Sequence, residues 1–183
     1  MSAFRLGFVT GATPDKWART WRDRSRVPLE LVPVEEATQF DGVRAGELDM
    51  ALVRLPAGAD DWRAGLHCIP LYAERPVVVV GTEHLLTATE HDEEVHRADF
   101  AGDQPDWPPM SIADTVATVA AGTGFVVLPM SVARLHARKD VTTRVVADLP
   151  DTTIGLVWRT DRDTDAVQTF IGIVRGRTPN SSR

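Results

Sequence analysis

Val119-Ala120-Ala121-Gly122-Thr123-Gly124-Phe125-Val126-Val127-Leu128-Pro129 and Ala45-Gly46-Glu47-Leu48-Asp49-Met50-Ala51-Leu52-Val53-Arg54 are built alike. In each, a helical stretch gives way at glycine to a run of apolar residues with high strand propensity. Gly122 and Gly124 read as a helix C-cap and a tight turn, positions where a missing Cβ is useful. Gly46 stands where a left-handed cap is wanted, and the almost uniformly apolar run 48–54 reads as a parallel strand covered on both faces. Helix, glycine turn and buried strand, twice over, place the chain in the α/β class.

The flanking sequence extends that rhythm. Residues 4–9 alternate and are rich in strand formers. Thr13 reads as an N-cap, Pro14 as the first helical residue, and Asp15 suits the positive end of the helix. Trp17 and Trp21, four apart, face one way, into a core or a partner. A second strand over 28–34, a helix over 36–45 and the strand at 48–54 complete a β-α-β-α-β series. After a loop at 57–61, strands over 66–72 and 75–81 are split near Ala73-Glu74, a crossover between lobes. Residues 82–109 are polar and rich in turn formers. A helix over 111–121 leads into strand 124–128, and a short helix over 131–137 follows. Strands over 143–146 and 153–159 come next. Val167, Phe170, Ile171 and Val174 then recur at helical spacing within 163–174. Residues 175–183 are a polar tail.

Composition excludes several functions. Of 183 residues, 43% are hydrophobic, enough for one domain or two compact lobes. Lys and Arg number 20 against 26 Asp and Glu, a net charge of −6, and no basic stripe is present to neutralise phosphates. Arg19, Arg22, Arg24 and Arg26 are interleaved with Asp15 and Asp23 nearby, as on a solvated helix face. The single cysteine, Cys68, forms neither an intramolecular disulfide framework nor a thiolate metal site, and reads as a small buried hydrophobe. Residues 1–9 show no basic region followed by a long apolar one and no small-residue cleavage site, so export is not expected. The longest apolar run, 76–80, is far short of the roughly 20 residues that span a bilayer. A cytoplasmic protein is expected.

No catalytic constellation emerges. Ser111 and Ser131 lack the flanking glycines of a nucleophile elbow. Gly122-Thr123-Gly124 lacks a third glycine and precedes a strand, so it is no dinucleotide fingerprint. His84, His91, Asp92, Glu93, Glu94 and His96 are crowded, yet their spacing matches no defined metal site. Neither an enzyme activity nor a cofactor is expected.

Taken together, residues 46–49 before the third strand, Glu74-Arg75-Pro76-Val77-Val78-Val79-Val80, the 119–129 segment and Met130-Ser131-Val132-Ala133 resemble, in order, the signatures of the effector-binding domain of LysR-type transcription regulators. That resemblance implies a two-lobed α/β fold like type 2 periplasmic binding proteins. Lobe I is then 1–74 with 152–183, and lobe II is 75–151. The DNA-binding helices that precede such a domain are not in this sequence, so no direct contact with nucleic acid is expected. The second lobe is shortened: only Pro105-Asp106-Trp107-Pro108-Pro109-Met110 stands where the family has about another β-α-β unit.

The resemblance also implies a site. The family holds a small effector between the lobes, by the loop after the first strand, the start of the second helix and the end of the third strand. Those positions are Thr10, Gly11 and Thr13, then Glu36 and Thr38, then Arg54. Helix N-termini at Thr13 and near Glu36 suit an anion, and Arg54 can grip a carboxylate through two parallel hydrogen bonds. An organic acid or an amino-acid-like metabolite is the expected effector. Thr13 reads equally as a plain cap, and Arg54 as an ion-pair partner. Glu36 departs from the family's usual small hydroxyl residue, so either the ligand carries an amino or other donor group or the site is altered. Trp107 either lids the cleft or plugs the shortened lobe. A homodimer is expected, and a dimerisation module acting on a full-length regulator is the alternative function. An enzyme on this scaffold is the remaining one.

Overall fold

The computed structural model describes residues 2–55, 61–90, 93–100 and 106–176. Its elements are, in order, β1 (Phe4–Val9), α1 (Asp15–Arg24), β2 (Leu29–Val34), a 3-10 turn at Glu36–Thr38, α2 (Asp41–Arg44), β3 (Met50–Leu55), a 3-10 turn at Asp61–Arg63, β4 (Leu66–Glu74) and β5 (Pro76–Gly81). Two further 3-10 turns, Leu85–Ala88 and Arg97–Asp99, precede α3 (Ile112–Ala120), β6 (Phe125–Pro129), α4 (Met130–Leu135), β7 (Val141–Val145), β8 (Thr152–Arg159) and α5 (Asp165–Val174). By contact the chain divides into two compact units, Met1–Tyr72 with Thr153–Arg183, and Ala73–Thr152. The expected loop at 57–61 (except Asp61), His91, Asp92, residues 101–105 and most of the polar tail lie outside the described residues.

The first unit is built on a five-stranded sheet of order β2-β1-β3-β8-β4. β1 runs parallel to β2 (Leu6 opposite Leu31) and to β3 (Leu6 opposite Met50). Alternation along β1 turns Phe4, Leu6 and the partly buried Phe8 toward a core shared with α1 and α5, and Val9 joins it at the strand's end. There Phe4 stacks on Trp21 at 4.7 Å and on Phe170 at 5.6 Å. Trp17 and Trp21 are thus core residues, and the Trp21 indole donates to the Val27 carbonyl at 2.8 Å. α5 begins with a side-chain cap, the Thr164 hydroxyl accepting from the Val167 N–H.

Three local expectations are corrected. β3 is buried as an inner strand should be, yet it is parallel only to β1. Its other neighbour, β8, is antiparallel, with Leu52 opposite Leu156. The expected helix over 36–45 is broken into the 3-10 turn and the four-residue α2. A 3-10 turn eclipses residues three apart, and it sets Glu36 and Gln39 toward the same target, Arg54. Thr13 lies just outside α1, whose capping position is Pro14 and whose first turn has no side-chain cap bond.

The second unit carries a three-stranded sheet, β6-β5-β7, antiparallel throughout. α3 and α4 cover one face around Val79, Val116, Val119 and Val132. On the other face Phe100 meets Phe125 edge-on at 4.9 Å among Val78, Val80 and Leu86. The buried Arg144 pins the segment after the 85–88 turn, donating to the Thr89 carbonyl at 2.7 Å and hydroxyl at 2.9 Å. β5 lies between β6 and β7 as β8 lies between β3 and β4, and both middle strands run antiparallel to the strand that precedes them in the sheet. The first sheet continues past β3 into β1 and β2, whereas past β6 there is no counterpart among the described residues. No helix among the described residues is long and apolar enough to cross a membrane.

Candidate functional site

The Ala45–Arg54 segment shows why the sequence folds as it does at the end of β3. Gly46 takes a positive φ of 74°, and the N–H groups of Glu47 and Leu48 both donate to the Gly42 carbonyl. Leu48 then turns inward over Gly7 and Gly42, where an added Cβ would come within 2.8 Å of its side chain. The Asp49 carboxylate accepts from the Arg5 N–H at 2.8 Å, and the Asp49 N–H returns a bond to the Arg5 carbonyl at 2.9 Å. The turn thereby locks β3 beside β1.

Beyond the last paired residue of β1, β3 still has backbone groups to satisfy. Gln39 takes that role. Its side-chain oxygen accepts from the Arg54 N–H at 2.7 Å, and its amide donates to the Arg54 carbonyl at 2.9 Å. Arg54 Nη1 donates to Glu36 Oε2 at 2.6 Å, and Nη2 donates to the Thr10 carbonyl at 3.1 Å. Thr10 and Gly11 form the turn after β1, with Gly11 at φ 89°.

The structure therefore gathers Thr10, Glu36 and Arg54 into one network and adds Gln39, which the sequence did not single out. A glutamine in a stretch that reads as helix carries no signal of a partner 15 residues away. Thr13 and Thr38 are exposed on the same two loops. Arg54, expected to grip an anion, has a side chain 2% exposed, and its guanidinium is engaged by Glu36 and Thr10. The expected anion-binding helix terminus near Glu36 is a 3-10 turn whose Thr38 N–H already bonds the Glu35 carbonyl. Trp107 is half-buried against the Val77, Val79, Val116 and Leu128 cluster of the second unit, a core-filling placement.

Other candidate chemistry dissolves into structure. The Ser111 hydroxyl caps α3, accepting from the Asp114 N–H. Gly122 and Gly124 hold positive φ angles of 87° and 65° at the end of α3. His84 Nδ1 caps the 85–88 turn by accepting from the Leu86 N–H. No group of three or more metal-ligating side chains occurs among the described residues.

The LysR substrate binding domain model matches residues 8–105 and 111–179, and the chain belongs to that family. The interruption falls on residues 106–110, within the stretch that the sequence marks as abridged. Among solved structures, the BenM effector binding domain with its effector benzoate is 18% identical with a TM-score of 0.77, covering 96% of this chain and 91% of that one. The effector binding domain of a BenM variant gives the same identity and TM-score over 97% and 98%. The reduced OxyR regulatory domain from Pseudomonas aeruginosa is 20% identical with a TM-score of 0.68 over 95% of each chain. At these identities the likeness is one of fold. No curated protein matches the sequence.

Proposed function

We propose that the chain is the effector-binding part of a LysR-type transcription regulator, and that the effector is a small polar metabolite. It is held by the loops bearing Thr10, Gly11, Thr13, Glu36 and Thr38, with Arg54 beneath them. One observation carries this reading. In the order β2-β1-β3, the chain leaves β1 to one side for β2 and returns on the other side as β3, so the carboxyl ends of β1 and β3 flank a topological switch point. Ligands of open α/β sheets bind outside such points. Thr10 follows β1, and Arg54 closes β3 directly beneath the same loops. A buried arginine tied to both loops fixes their geometry, as a preformed binding surface requires.

The domain works by binding and not by turnover. The two serines weighed as nucleophiles have structural placements: Ser111 begins α3, and the Ser131 hydroxyl is enclosed without a hydrogen-bond partner. Self-association into a homodimer is part of the proposal, on the strength of family membership. Sedimentation equilibrium finding only a 20.1 kDa species would remove it.

The test of binding is a thermal-shift panel of organic acids, amino acids and amines, followed by amide chemical-shift mapping. A stabilising compound is expected to move the amides of Thr10, Gly11, Glu36 and Thr38. A panel without one such compound defeats the assignment.

A further inference from the structure

We propose that the charge offered to the effector is the Glu36 carboxylate, so that the effector presents an ammonium or similar cationic donor at this point and not a carboxylate. The inference rests on the effector-binding reading above and deepens it.

The two members of the ion pair are unequally placed. Arg54 is 2% exposed in its side chain and Glu36 57%. Arg54 uses Nη1 on Glu36 and Nη2 on the Thr10 carbonyl, while Gln39 bonds both its backbone N–H and its carbonyl. Because Arg54 is buried and Glu36 is exposed at 2.6 Å from it, an incoming carboxylate would meet the Glu36 carboxylate at the surface, where like charges oppose binding. An incoming ammonium needs no rearrangement. Glu36 Oε2 is held by Arg54, Oε1 has no partner among the described residues, and a carboxylate accepts several donors at once.

The surroundings agree in sign. Between β2 and α2 the chain carries Glu35 and Glu36 and no lysine or arginine, and both acids are exposed. The exposed threonines at 10, 13 and 38 add hydroxyls that accept as well as donate. Buried cation, exposed anion and accepting rim together form a donor-seeking surface.

The experiment compares probes that differ in their head group, n-butylamine and 1,4-diaminobutane against butyrate and benzoate. Each is titrated into the full chain with the amides followed by two-dimensional NMR. The amines are expected to move the Thr10, Gly11, Glu36 and Thr38 amides and to bind less tightly as salt rises. Glu36→Gln is expected to weaken them about tenfold or more, and Glu36→Asp to retain part of the binding. Movement of the same amides by butyrate or benzoate alone, with tighter acid binding in Glu36→Gln, overturns the inference while sparing the effector site. Glu36 would then be a displaceable stand-in for a ligand carboxylate. If neither class moves these amides, the site assignment itself falls. The wild-type comparison decides between these outcomes even if the variants fold poorly.

Discussion

Gln39 does for β3 what a neighbouring strand does elsewhere in the sheet. Its two bonds to the Arg54 backbone are buried, so Gln39→Leu leaves an N–H and a carbonyl unpaired away from water. The expected cost is about 2–4 kcal/mol, read as a fall in the urea midpoint at unchanged slope. Cys68 illustrates the opposite case, a group whose chemistry the fold suppresses. Burial pushes its thiol up, and the Arg63 guanidinium offsets this only in part. Because the folded value exceeds the unfolded one, the protonated thiol's contribution is complete below the unfolded thiol's range and is lost as pH rises through the folded value. Alkylation by iodoacetamide should therefore lag in the native protein across mildly alkaline pH and catch up in urea. Equal rates in both states would contradict the burial. The lone cysteine reads in sequence as a small buried hydrophobe and is half-buried in the structure, whereas the pairing of Gln39 with Arg54 was not readable, since nothing local to either residue encodes a contact 15 positions away.

Glycines that look equivalent in sequence do different work in the elements they join. Gly122 ends α3 at φ 87° with nothing within 4 Å of an added Cβ, so its requirement is purely conformational. Gly81 has ordinary φ, but a Cβ there would meet the Val119 carbonyl oxygen at 2.9 Å, a backbone atom that cannot swing aside. Gly122→Asn should therefore be nearly neutral, because asparagine tolerates the left-handed region. Gly81→Ala should cost about 1–3 kcal/mol by forcing α3 off β5. Comparable losses for both would refute the distinction, and urea unfolding of the two variants decides it. The same contrast explains what the sequence disclosed. The strand at 4–9 was evident from alternation, and the strand at 125–129 from its glycine boundary. The helix expected over 36–45 failed because a long-range demand, Glu36 and Gln39 both facing Arg54, outweighs local helix periodicity.

The topology of the first unit makes its stability depend on the chain's last thirty residues. The apolar run within residues 152–159, buried from Ile154 to Trp158, identifies a strand but not its place, because an inner strand of either sheet would be buried in this way. Its insertion between β3 and β4 is fixed only when the chain returns to Met1–Tyr72. β8 then supplies Ile154 and Leu156, and α5 supplies Phe170, to the core that holds Phe4 and Trp21. Of the tryptophans, Trp17, Trp21 and Trp62 lie in the N-terminal part of this unit, and Trp107 lies in the other. A chain ending at Asp151 would leave β3 and β4 without the strand between them and Trp21 without Phe170. The near-ultraviolet circular dichroism of those three tryptophans is then expected to collapse. The contiguous second unit, with β5, β6 and β7 all inside Ala73–Thr152, keeps its strands in sequence, and its amides should retain slower exchange. A truncated protein with native tryptophan dichroism would mean that β1, β2, β3 and β4 close a core without β8, contrary to a sheet in which every hydrogen bond from β3 toward β4 passes through it.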